Sequence, residues 1–280
     1  MKVIGIGDNV VDKYLDKGVM YPGGNALNFS VYAKMFGVSA SYLGVFGNDQ
    51  AAEHIQQSLQ DVGVEISHCL HYEGENGYAE VNLVDGDRVF VGSNKGGVQK
   101  DFPLILEPEI LDYLKDFRIT HSSIYSGIES ELKKLKDLGV LVSYDFSNEF
   151  TESYLQENCP NIDVSLLSCG DMDEKEVKEL LQRVHTYGSS LVIGTMGAYG
   201  AIVYDGSIFY HQKPKLVEAV DTLGAGDSFF SAFIIHYLQE TERNSTFERG
   251  DVIQKSLQEG ANFAAKTCLV EGAFGYGVAF

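Results

Sequence analysis

Basic residues are scarce in this chain: 21 Lys and Arg stand against 40 Asp and Glu in 280 residues, for a net charge of −19. That shortage argues against nucleic acid and anionic membrane as partners, because either requires a basic face. The acidic excess otherwise reads as solubility charge. Phosphate can still be bound where backbone amides and a metal supply the positive field. Cysteine is equally thin. Cys69, Cys159, Cys169 and Cys268 form no C-x-x-C pair, which argues against a zinc site or a disulfide framework and for reduced thiols. No apolar run reaches membrane-spanning length and no basic-apolar leader precedes the first strand, so a cytoplasmic protein is expected. The Walker pattern G-x-x-x-x-G-K-[ST] is missing, which removes P-loop kinases. Internal repeats and low-complexity stretches are also missing.

What is present is a rhythm of buried strands and helices. Lys2–Ile6, Ser41–Phe46, Ile119–Ile124, Leu141–Phe146, Val164–Leu167 and Leu191–Thr195 read as strands without alternation. Asn25–Phe36, Gln50–Val62 and Glu174–Tyr187 read as helices, the first two closed by Gly37 and Gly63. Such strands separated by helices predict an α/β fold with a mainly parallel sheet covered on both faces. Two Asp-Gly hairpins break the rhythm. Tyr78–Val84 and Arg88–Gly92 flank Asp85-Gly86-Asp87 and carry the polar residues Glu80, Asn82 and Arg88. Ala201–Tyr204 and Ile208–His211 flank Asp205-Gly206 and belong near an edge of the main sheet.

The most informative segment is Asp221-Thr222-Leu223-Gly224-Ala225-Gly226-Asp227, which runs directly into an apolar helix starting at Ser228-Phe229-Phe230. Small residues let backbone N–H groups approach an anion, and the helix N-terminus adds partial positive charge. Asp227 beside those amides could take a proton from an attacking hydroxyl while Gly224, Ala225, Gly226 and Asp227 hold phosphate oxygens. The pattern fits phosphoryl transfer to an alcohol. Near the N-terminus, Gly7-Asp8-Asn9-Val10-Val11-Asp12 follows a strand and Gly23-Gly24-Asn25-Ala26-Leu27-Asn28 opens a helix. By itself Asp12, beside Lys13, reads as a solvated turn residue, and Asn25 reads as a helix N-cap. Asn28 lies inside the helix, where no cap explains it.

These segments, in this order and spacing, resemble the ribokinase-like (PfkB) sugar kinases over essentially the whole chain. The resemblance implies a single ribokinase-like domain over 1–280, a three-layer α/β/α sandwich with a small β-lid inserted at about 13–22 and 70–98. It implies Asp227 as catalytic base with Gly224, Ala225 and Gly226 as its anion hole. Asp12, Gly24, Asn25, Asn28 and Arg88 would bind the sugar, and the lid would cover it and could join a homodimer. Thr195, Gly197 and Gly200, in Ile193-Gly194-Thr195-Met196-Gly197-Ala198-Tyr199-Gly200, would face ATP, with Asn262 beside the adenine. Mg²⁺ is implied as well, and a monovalent cation such as K⁺ is compatible with the family.

One departure matters. Most of the family carries N-x-x-E five residues after an aspartate that ends a strand, where it helps to place Mg²⁺. Here Asp163 is followed at that distance by Ser168-Cys169-Gly170-Asp171, so Asp171 becomes the candidate metal carboxylate. The bacterial fructoselysine 6-kinase branch shares this departure. Ile6-Gly7-Asp8-Asn9, Asp87-Arg88-Val89-Phe90, Asp145-Phe146-Ser147 and Ala264-Ala265-Lys266-Thr267 resemble that branch too. Its members phosphorylate the 6-hydroxyl of a fructosyl group on the ε-amine of lysine, and Glu80 and Asp145 are candidate partners for the cationic tail. A plain ketose kinase such as a fructokinase is the alternative, and a catalytically silent sugar-binding regulator is a remote one.

Overall fold

The computed structural model describes residues 1–84, 87–243 and 248–280, with the side chains of 83, 84, 87 and 88 outside the description. Among the described residues a nine-stranded sheet forms the middle layer. Strands β1 (Lys2–Gly7), β4 (Ser39–Phe46), β5 (Leu70–His71), β8 (Ile119–Ser123), β9 (Leu141–Asp145), β10 (Val164–Ser168) and β11 (Leu191–Thr195) run parallel. The antiparallel pair β12 (Ala201–Tyr204) and β13 (Phe209–Gln212) closes one edge, giving the order β13-β12-β11-β10-β9-β8-β1-β4-β5.

Alternate residues of each strand enter different cores, as the period of two requires. Val3, Ile119, Leu166 and Ile193 pack with Phe29 and with Phe229, Phe230 and Phe233. They meet helices α1 (Asn25–Met35), α8 (Ala225–Arg243) and α9 (Arg249–Thr267) on that face. Ile4, Ile6, Leu167 and Val192 point the other way, toward α5 (Leu132–Asp137), α6 (Glu152–Asn158) and α7 (Glu174–Thr186). Helix α1 lies so close to the sheet that a Cβ on Gly5 would sit 1.9 Å from the Ala26 carbonyl oxygen. Helix α2 (Gln50–Val62) starts at Asp49, whose side chain accepts from the Ala52 N–H at 3.0 Å, and ends on Gly63 at φ 84°. Gly63 is the stop expected from the sequence, and the Asp49 cap is added by the structure.

A second, five-stranded sheet leaves the end of β1. It has the order β14-β3-β2-β6-β7, built from β2 (Val10–Tyr14), β3 (Val19–Gly23), β6 (Tyr78–Val84), β7 (Asp87–Ser93) and β14 (Val278–Ala279). β14, from the C-terminus, was not foreseen from the sequence. The Asp85-Gly86 turn lies outside the described residues. In the main sheet the chain proceeds from β1 to β4 and β5 in one direction and from β8 to β11 in the other. Strand order therefore reverses beside β1, and the crevice outside the C-terminal ends there is where open α/β sheets hold ligands.

Candidate active site

Asp8, the residue after β1, organises that crevice. Its Oδ2 accepts from the Asn25 N–H at 2.6 Å and its Oδ1 from the Ala26 N–H at 3.2 Å, so a carboxylate from the strand end satisfies donors that α1 leaves open. Ser123 Oγ and Ser126 Oγ also donate to Asp8 Oδ1, each at 2.8 Å, which ties the ends of β1 and β8 together. The N-cap position of α1 is Gly24, at φ 114° and with no capping side chain. A Cβ there would lie 2.8 Å from the Asp8 carbonyl oxygen. Asn25 is thus not the N-cap of α1. It is the first helical residue, and its Nδ2 donates to Asp145 Oδ2 at 2.7 Å.

One turn further along α1, Asn28 Nδ2 donates to Asp227 Oδ2 at 2.7 Å. This bond joins the N-terminal motif to the helix-opening motif across 199 residues of sequence. Asn28 Oδ1 is buried and has no hydrogen-bond partner among the described residues, which leaves an acceptor for an incoming donor. Burial and the Asp145 charge, with smaller contributions from Asp8 and Asp12, push the Asp227 carboxyl up to about 8, while the Asn28 bond pulls it down. Burial, with the Asp8 charge, lifts Asp145 to about 6 against the pull of the Ser147 N–H and the Asn25 amide. Such poising near neutrality is what a general base requires.

The loop before Asp227 is held by Asp221. Its Oδ1 accepts from the Leu223 N–H at 2.9 Å, and its Oδ2 accepts from the Gly272 N–H at 3.0 Å and from Tyr14 Oη at 2.7 Å. Gly224 has φ 71°, and a Cβ on it would fall 2.2 Å from Tyr32 Oη. Ala225, Gly226 and Asp227 form the first turn of α8; the Ala225 N–H donates to the Thr222 carbonyl at 3.3 Å, while those of Gly226 and Asp227 have no acceptor within the helix. The hydrogen-bond ladder begins only with Ser228 N–H to the Gly224 carbonyl at 2.8 Å. Gly226 differs from Gly224: its φ is ordinary and nothing lies within 4 Å of an added Cβ.

A cavity of about 860 Å³ brings Asp12, Gly24, Asn25, Asn28 and Asp227 together. Asp12 is buried in β2, and a Cβ on Gly23 would come within 2.5 Å of its Oδ2. Arg88 pairs with Leu83 in the β6–β7 ladder, but its side chain lies outside the described residues. The residues expected at the nucleotide do not line this cavity. Thr195 ends β11, half-buried, and its Oγ1 donates to the Leu167 carbonyl at 3.4 Å. Gly197 begins an exposed turn at φ 53°. Gly200, at φ 98°, faces the Gln212 carbonyl oxygen, which an added Cβ would meet at 2.0 Å. Asn262 lies on α9 and accepts from Lys215 Nζ at 3.4 Å. Asp171 is exposed just past β10. Asp163 precedes β10 instead of ending a strand, and it is occupied by the Val142 N–H and the Lys136 ammonium. Among the described residues no group of three or more His, Cys, Asp or Glu is arranged to hold a metal ion.

Asp8 was missing from the candidate residues although its signal was there: a carboxylate at the C-terminal end of a wholly buried strand. Asp145 sat in the same kind of position. A carboxylate at a helix N-terminus, hydrogen-bonded and raised toward neutrality beside a cavity at the strand-order reversal, fits a small-molecule kinase of the non-Walker kind. The comparisons agree. The pfkB family carbohydrate kinase profile matches residues 1–144 and 145–275. The fructosamine kinase FrlD of Bacillus subtilis is 41% identical over 278 residues, covering 99% of this chain and 94% of its own. The fructoselysine 6-kinase of Escherichia coli is 32% identical over 269 residues, covering 96% and 98%. Among solved structures, Arabidopsis thaliana ribokinase complexed with ribose and ATP superposes with a TM-score of 0.81 at 19% identity, covering 98% of this chain and 94% of that one. A fructokinase with bound ATP from Xylella fastidiosa gives 0.80 at 18% identity over the same shares. The chain belongs to the PfkB family of carbohydrate kinases, and its fold is ribokinase-like.

Proposed function

We propose that the protein transfers the γ-phosphoryl group of ATP to the 6-hydroxyl of a fructose unit carried on an amine, with fructoselysine as the substrate, to give fructoselysine 6-phosphate and ADP. The observation that carries this reading is the Asn28–Asp227 pair in one cavity with Asp12, in a chain 41% identical to a fructosamine kinase. Asp12 accepts from sugar hydroxyls and Asn28 Oδ1 takes a further donor. Asp227 removes the proton of the attacking hydroxyl as its oxygen bonds to the γ-phosphorus and the bond to the β-phosphate oxygen breaks. The first-turn N–H groups of α8 receive the charge that gathers on the transferred group. Thr195, Gly197, Gly200 and Asn262 belong to the nucleotide half.

The residues present fit a cation carried mainly by phosphates and water, as Mg²⁺ prefers, because the described residues offer Asp171 as a candidate carboxylate and no cage. Mg²⁺ would offset phosphate charge, and K⁺ stimulation is part of the same reading. Leu70–His71 pairs with β4 in the main sheet, whereas the five-stranded sheet, which takes β3 from the segment at 13–22 and β6 and β7 from the segment at 70–98, serves as the lid. Its edge strand β7 exposes Val89, Phe90 and Val91, and an unpaired apolar edge suits a second copy of this chain, so we include a lid-mediated homodimer. No helix among the described residues is long and apolar enough to cross a membrane, and a cytoplasmic site of action is part of the proposal.

The test is to incubate the enzyme with Mg-ATP and a panel of ketosamines and free ketoses at matched concentration. The expected result is a kcat/KM for fructoselysine about tenfold to a hundredfold above that for fructose, the value of one charge-assisted contact to the tail. Equal or better turnover of fructose would make the protein a ketose kinase, and no turnover of any sugar would leave a silent binder.

A further inference from the structure

A ketohexose leaves much of the cavity unfilled. A volume of about 860 Å³ stands near the upper end of the roughly 300–1,000 Å³ that encloses drug-sized ligands. Besides the sugar-site residues, the cavity is lined by a wall made from the segments after β7, after β8 and after β9. That wall is fixed in place: Gln99 Nε2 donates to the Ser126 carbonyl at 2.7 Å, and the Val98 N–H donates to the Glu75 carbonyl at 2.9 Å.

Among the described residues lining the cavity, Lys95 and Lys100 carry the basic side chains, and both stand on this wall. Neither ammonium makes an ion pair or hydrogen bond with another described residue. Both residues are exposed and solvated in the free protein, and they place two cations beside this cavity in a chain of net charge −19. Lys95 is also held at φ 57°, a left-handed conformation that residues other than glycine adopt seldom, and such outliers gather at functional positions. Glu149 lines the same cavity, beside Tyr125. The acidic residues expected at the tail are otherwise engaged. Asp145 is buried against the Asn25 amide and the Ser147 N–H, and Glu80 leans over Gly92 on the neighbouring strand.

We propose that this wall reads the amino-acid end of a fructosamine, with its α-carboxylate on Lys95 and Lys100 and its α-ammonium on Glu149. The proposal rests on the fructosamine reading above. Charges of both signs on one wall match a zwitterion, a feature that a free ketose lacks. Lys95, Lys100 and Glu149 are therefore specificity residues and not catalytic ones, and they act on the part of the substrate that does not react.

The test compares Lys95→Ala, Lys100→Ala, the double variant and Glu149→Gln in the full chain with Mg-ATP. Three acceptors are used: fructoselysine, fructosyl-cadaverine (the same tail without its carboxylate) and fructose. Each lysine variant is expected to lower kcat/KM for fructoselysine about threefold to tenfold, and the double variant at least tenfold, as fits exposed to partly shielded ion pairs. Fructosyl-cadaverine and fructose should stay within about twofold of the wild type. Glu149→Gln should weaken both amine-tailed acceptors and leave fructose unchanged. Equal losses on all three acceptors, or undiminished fructoselysine turnover by the double variant, would overturn the proposal. Wild-type preference for fructose is a different outcome: it would remove the fructosamine reading itself, and this proposal with it.

Discussion

Two substitutions around Asp227 should move the same titration in opposite directions. The Asn28 amide donates to the Asp227 carboxylate at 2.7 Å and stabilises its charged form, while the neighbouring Asp145 charge disfavours it. A hydrogen bond to a charged group is worth about 1.5–3 kcal/mol, and one pKa unit corresponds to about 1.36 kcal/mol. Asn28→Ala should therefore raise the acid limb of the kcat/KM profile by about one unit or more. Asp145→Asn should lower that limb, since it removes a repelling charge and keeps an acceptor for Asn25. The wild-type limb reports the free enzyme and should lie far above the ordinary carboxylate range, near the value of about 8 to which Asp227 is pushed. The assay is direct separation of ATP and ADP across pH 5.5–9.5 at subsaturating sugar, a readout that no coupling enzyme distorts. Limbs that move the same way in both variants, or stay fixed in both, would refute the assignment of this titration to Asp227.

Other consequences are separable. Asp12→Ala should weaken sugar binding by more than tenfold, seen by calorimetry, because hydroxyl contacts to a charged acceptor are worth about 1.5–3 kcal/mol each. Gly224→Ala should cost about 1–3 kcal/mol of stability, read as a lower Tm, because its Cβ meets Tyr32 and its φ is positive. Gly226→Ala should keep or raise Tm, since nothing crowds an added Cβ there, yet lose activity if that backbone carries phosphate. Asp227 keeps its proton to higher pH in the folded protein than in the unfolded chain. Its contribution to stability is thus complete below the unfolded pKa near 4 and fades as pH rises through about 8. Asp227→Asn should accordingly raise Tm more at pH 9 than at pH 5.

Much of this architecture is written locally. The Gly63 stop ends α2 in the fold as it does in the sequence, and α7 starts at Glu174 as its periodicity predicts. Asp227 announced itself because its motif is contiguous. The parts that were not legible depend on partners remote in sequence. Asp8 acquires its meaning from Ser126, 118 residues away, and Asn28 from Asp227. Asn25 looked like a cap because capping is the common use of such a residue, yet the folded chain caps α1 from β1 and spends the Asn25 amide on Asp145. The lysine wall was invisible for the same reason: Lys95 and Glu149 meet one cavity only after two distant segments are brought around it. β14 is two residues long, too short for any periodicity to reveal.

The central claim is that Asp227 deprotonates a sugar hydroxyl held in this cavity. It is tested most directly by following fructoselysine and Mg-ATP by ³¹P and ¹H NMR with the wild type and with Asp227→Asn at equal concentration. The account predicts a phosphate ester on C6 with the wild type and a rate lower by about 10²–10⁴ with the variant, with ATP binding retained. Turnover by Asp227→Asn within a few-fold of the wild type would contradict it and reduce Asp227 to an acidic residue at the start of α8.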